Sequence, residues 1–66
     1  MDRNKIAKRL VDLRGSRKRE EVALAVGITA PALAMYETGK RIPKDEVKIR
    51  LAKYYRTSVE DIFFAS

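Results

Sequence analysis

The sequence predicts an all-α fold, a compact bundle of five short helices. Three observations predict it. Apolar residues recur at helical spacing, as at Ile6, Leu10 and Leu13 and again at Val47, Leu51 and Tyr55. Glycines at 15, 27 and 39 fall where such patterns stop. Residues suited to capping helix starts, Asp2 or Asn4, Thr29 and Ser58, precede the periodic segments. Sixty-six residues without repeats or linkers read as one domain, 1–66, with a core near the lower limit for folding alone.

The first helix covers Met1 to Leu13 and ends at Gly15-Ser16. The second runs from Arg19 to Val26, with Val22, Ala23 and Val26 facing inward. Glu20 and Glu21 sit in its first turn, where the helix dipole favours acid. Gly27 supplies a left-handed turn that other residues resist. Thr29 caps the third helix, and Pro31 falls in its first turn, where no intrahelical amide bond is lost. Leu33, Tyr36 and Glu37 share one face, which leaves Ala30, Pro31, Ala34 and Met35 towards the outside. Gly39 stops this helix and Ile42-Pro43 forms an extended link. A fourth helix begins at Lys44 or Asp45 and buries Val47, Leu51, Ala52 and Tyr55. Ser58-x-x-Asp61 reads as a capping box opening a short fifth helix that returns Ile62 and Phe63 to the core.

Composition narrows the function. There is no cysteine and no histidine, so thiolate chemistry and the commonest general base are absent. No cluster has metal-ligand spacing and no Gly-rich loop could cradle phosphate. An enzyme is therefore not expected, nor a metal, a cofactor or a small-molecule ligand. No apolar run is long enough to span a bilayer, so the expected location is cytoplasmic, with no membrane partner. The net charge of +6 favours a polyanion, whether nucleic acid, anionic membrane or acidic protein. A soluble surface that happens to be basic is the plainer reading of charge alone.

Residues 19 to 38 decide between them. Two short helices joined at Gly27 build a helix-turn-helix, and in so basic a chain this points to DNA. The series Leu13-Arg14-Gly15, Glu21-Val22-Ala23, Val26-Gly27-Ile28-Thr29, Leu33, Tyr36-Glu37, Gly39-Lys40-Arg41 and Pro43 carries a further resemblance. Leu51-Ala52, Tyr54-Tyr55 and Ser58-Val59-Glu60-Asp61-Ile62 continue it. Together they resemble the Xre/Cro-type phage-repressor helix-turn-helix domains, from about Ile6 to Phe63. The resemblance implies a lambda-repressor-like bundle whose third helix enters the major groove.

By that resemblance, Ala30, Pro31, Ala32, Ala34 and Met35 face base edges, with Thr29 beside them. None of the five can form a bidentate hydrogen bond to a base, so their usable contacts are apolar, chiefly with thymine methyls. Thr29 could add one hydroxyl, although capping competes for it. The opposing reading is a recognition face that has stopped reading sequence, or now meets protein. Arg19 occupies a position where the family has a polar residue on phosphate. Lys40 and Arg41 follow the third helix, where family members also grip phosphate. Arg17 and Lys18 extend the first cluster, so that basic groups flank the inserted helix. The plainer reading is two solvated basic loops.

Arg14 and Glu37 match positions that the family often pairs between the first and third helices. Lys5, Lys8, Arg9, Lys48, Arg50 and Lys53 read as solvated faces. Ile49, Tyr54 and Phe64 are candidates for a dimer surface, or are simply part-exposed. The leading expectation is a sequence-specific regulator of transcription, a repressor that binds a palindromic operator in double-stranded DNA as a homodimer. The alternative is a protein-binding module on the same fold, of antitoxin or antirepressor type.

Overall fold

Asp2 starts the first helix. In a computed structural model describing residues 1–66, its carboxylate accepts from the Asn4 and Lys5 amides at 2.9 and 3.2 Å. The Lys5 amide bond holds this carboxyl below its usual range. Of the two candidate caps the chain therefore uses Asp2, and α1 runs Arg3–Arg14. Next come α2, Arg19–Val26, α3, Ala30–Glu37, and α4, Asp45–Tyr54.

Each later helix ends in a left-handed residue. Gly27 has φ 81°, and the Ile28 amide returns to Ala23 O at 3.0 Å. Gly39 has φ 76°, and the Lys40 amide returns to Met35 O at 3.0 Å. Both arrangements satisfy carbonyls that the helix itself leaves orphaned. After α4 the same place is taken by Arg56, at φ 56°, with the Thr57 amide on Ala52 O at 2.9 Å. A left-handed arginine costs about 1 kcal/mol, and the surrounding bundle supplies that.

The last element differs from the expected helix. Glu60–Phe64 is a single π-helical turn, closed by the Ala65 amide on Glu60 O at 2.8 Å. Ser58 Oγ accepts from the Asp61 amide at 3.0 Å, the forward half of the expected capping box. A side chain from the first helix closes off the C-terminal end of this turn. Arg9 donates to Ile62 O and Ala65 O, both at 2.9 Å, so these carbonyls are satisfied without further helix.

The core lies at the centre of the four helices. Leu10, Val22, Leu33 and Leu51, one from each, are all 0% exposed. Helix α3 packs on α1 and α2, α2 also packs on α4, and the π turn closes against α1. The expected inward residues of α2, α3 and α4 are buried, as are Ile62 and Phe63.

Three cations expected on solvated faces make tertiary contacts, and of these only Arg50 is exposed. Arg9 holds the final turn. Arg50 Nη1 donates to Val26 O at 3.3 Å, at the C-terminal end of α2. Lys48 is 7% exposed, with its ammonium 3.4 Å from Asp45 and over the Phe63 and Phe64 rings. Its long apolar stem lets it lie along the bundle while its head finds a carboxylate and two ring faces.

Candidate nucleic-acid interface

Helix α3 divides into an inner and an outer side. Leu33, Tyr36 and Glu37 are buried, Pro31 and Met35 are exposed, and Ala34 is half-exposed between them. Ala30 and Ala32, expected to face bases, are partly packed against the core. In an eight-residue helix they flank the buried stripe and so turn only partly outward. Thr29 Oγ1 accepts from the Ala32 amide at 3.2 Å, so capping does claim this side chain. Thr38, which the sequence reading passed over, is exposed at the other end. Its hydroxyl donates to Ala34 O at 2.9 Å.

Glu37 fixes the helix from inside. Its side chain is 0% exposed. Arg14 reaches it from α1 through Nε on Oε2 at 2.7 Å and Nη2 on Oε1 at 3.1 Å. This is the pairing implied by the family resemblance. A third bond was not expected: Arg19 Nε donates to Oε1 at 2.7 Å. Two helices thus clamp one buried carboxylate on the third. The hydrogen bonds from Arg14 to Glu37 raise the arginine's affinity for its proton.

Arg19 is consequently shared. Its Nε is spent on Glu37, while its side chain stays 40% exposed. Arg17 is more fully committed. It donates to Leu13 O and Arg14 O at the end of α1. Its guanidinium carbon lies 5.3 and 5.4 Å from the ring centres of Tyr54 and Tyr55. This places Tyr54, a candidate for a dimer surface, half-buried beneath an arginine.

Lys18, Lys40 and Arg41 are exposed and make no ion pair. Lys18 also sits at the start of α2 without capping it. Glu20 and Glu21 in the first turn oppose the positive field at this helix start. Lys44 extends the second cluster, lining a cleft with Arg41, Tyr36 and Ile42. Its position just after Pro43 in a basic run was the available signal. Leu24 was also missed. It is 84% exposed on α2, and the buried Val22, Ala23 and Val26 already implied that orientation.

Beside Glu37 lies a second buried polar group. The Tyr55 hydroxyl has no hydrogen-bond partner. Burial first, and the Glu37 charge second, push it from 10.0 to about 12. Between those values the unfolded chain loses this proton and the folded chain keeps it, so stability falls as pH rises through the window. Tyr55→Phe should remove that component from the alkaline limb of a stability–pH curve. It should also add about 1 kcal/mol below pH 10, because an unpaired buried hydroxyl is gone. Urea unfolding across the range measures both effects.

The arrangement is an exposed helix face held by a buried clamp, with unpaired cations in the segments just before α2 and just after α3. A family model for helix-turn-helix domains matches residues 6–62, nearly the whole chain. The chain belongs to the Xre/Cro-like helix-turn-helix family. Comparison with curated proteins and with solved structures found no significant match. Members of this family are DNA-binding regulators, and α2 with α3 forms the helix-turn-helix of this one. No helix is long and apolar enough to cross a membrane.

Proposed function

We propose that this Xre/Cro-like protein is a cytoplasmic repressor that binds a palindromic operator as a homodimer. One observation supports the reading: Lys18, just before α2, and Lys40 with Arg41, just after α3, are exposed and make no ion pair, so free cations stand at both chain ends of the helix-turn-helix. Such a frame suits a helix laid in the major groove with phosphates on both flanks. Occupying an operator would exclude polymerase. Two copies related by a two-fold axis would set their recognition helices about 34 Å apart, on successive major grooves.

Ile49 and Phe64 are the proposed dimer contact. They are 48% and 54% exposed and line one shallow groove with Val59 and Lys48. Selection of bound sites from random duplex DNA tests the whole reading. An enriched palindrome supports it, whereas unenriched binding opposes it. Sedimentation showing only monomer at high micromolar concentration, with and without DNA, would remove the dimer.

Grip should separate from reading. Lys40→Ala or Arg41→Ala should weaken binding to all duplexes alike. Each should reduce the slope of log K against log salt by about one unit. Arg17→Ala should change the slope less, since that side chain is bound to α1 carbonyls and tyrosine rings.

Leu24 and Met35, at 84% and 42% exposed, favour a second reading, a protein-binding module of antitoxin or antirepressor type. Stable capture of a protein partner without DNA, together with salt-insensitive and weak DNA binding, would select it.

A further inference from the structure

We propose that α3 reads the C5-methyl group of pyrimidines as such, so that 5-methylcytosine can replace thymine in the bound duplex. The inference rests on the DNA-binding reading above and names what its outer face recognises.

Pro31 and Met35 are exposed and Ala34 is half-exposed, so an apolar patch forms the outermost surface of the helix. None of the three has a side-chain hydrogen-bond donor. The neighbouring Thr38 hydroxyl spends its proton on Ala34 O, and Thr29, whose Oγ1 accepts from the Ala32 amide, keeps one proton, too few for a bidentate contact. The face therefore offers methyl, methylene and thioether surface where a reading helix ordinarily offers amides or guanidinium. Exposed Lys18, Lys40 and Arg41, in the segments before α2 and after α3, supply charge complementary to a duplex backbone.

In the major groove the apolar landmark is the C5-methyl of thymine. Methylation of cytosine at C5 puts the same group on the same edge of the ring. The two pyrimidines still differ in the adjacent acceptor or donor at C4. A face without bidentate groups reads that difference poorly, so the methyl becomes the dominant signal.

Four random duplex pools test this, synthesised with thymine or uracil and with cytosine or 5-methylcytosine. Each methyl contacted should contribute about fourfold in affinity. Sites selected from the thymine–cytosine pool should lose about that factor per contacted position when remade with uracil. Selection from the uracil–5-methylcytosine pool should enrich 5-methylcytosine at the positions where thymine was enriched before. Met35→Gln gives the face an amide and should shrink the uracil penalty while leaving the salt slope unchanged.

Equal binding of uracil and thymine duplexes, with salt dependence and site enrichment intact, would overturn methyl reading and leave DNA binding standing. Enrichment of thymine without enrichment of 5-methylcytosine would overturn it too, because the base and not its methyl would then be read. If no pool bound with a salt slope, both this inference and the DNA-binding reading would fall.

Discussion

Leu33→Ala should unfold a large fraction of the protein. Leu33 is 0% exposed at the centre of the core, between α3 and the helices it packs on. Truncation removes buried methyl groups and leaves a cavity that four short helices can only partly close, at about 2–5 kcal/mol. A 66-residue domain holds about 3–10 kcal/mol in total. The variant should show a lower urea midpoint at unchanged m-value, and its thermal transition should approach room temperature. A midpoint within experimental error of the parent would contradict the placement of Leu33.

Arg14→Ala should be comparably severe for a different reason. It removes two of the three hydrogen bonds to Glu37, a carboxylate with no solvent contact of its own. Breaking a buried pair from one side costs about 3–5 kcal/mol, because the remaining charge is left under-compensated. Arg14→Lys should recover only part of the loss, since an ammonium cannot match the fork that spans both carboxylate oxygens. The double variant Arg14→Met with Glu37→Met should be more stable than Arg14→Ala, because it removes the stranded charge along with its partner. If Arg14→Ala and the double variant unfolded at the same urea concentration, the stranded Glu37 charge would not be what destabilises Arg14→Ala.

The helix ends were legible because their chemistry is local. Thr29 accepts from an amide three residues on, and Gly27 and Gly39 adopt backbone angles that few other residues tolerate. The Arg56 turn uses the same geometry without a glycine, and nothing in the residue type signals it. The bundle's closure imposes that conformation. Arg9 illustrates the other limit. On a helical wheel it belongs with Lys5 and Lys8 on a wet face, but its partner carbonyl lies 53 residues away. Lys48 was misread in the same way, whereas Arg50 is exposed as expected and only its Nη1 turns to the Val26 carbonyl. At the candidate site the charges were visible but their pairing was not. Arg19 was expected on phosphate, and the fold turns its Nε inward to Glu37 while the side chain as a whole stays 40% exposed.

The split across α3 has an evolutionary consequence. Everything that holds the helix, Leu33, Tyr36 and Glu37, is on its inner side, while Pro31, Ala34 and Met35 hold little of the bundle together. Variation at Ala34 and Met35 can therefore be sampled at little cost to foldedness, whereas variation at Leu33 or Glu37 is purged whatever the target. Descendants of this chain can diverge in what they recognise through substitutions at these two outward positions, without first acquiring compensating changes in the core.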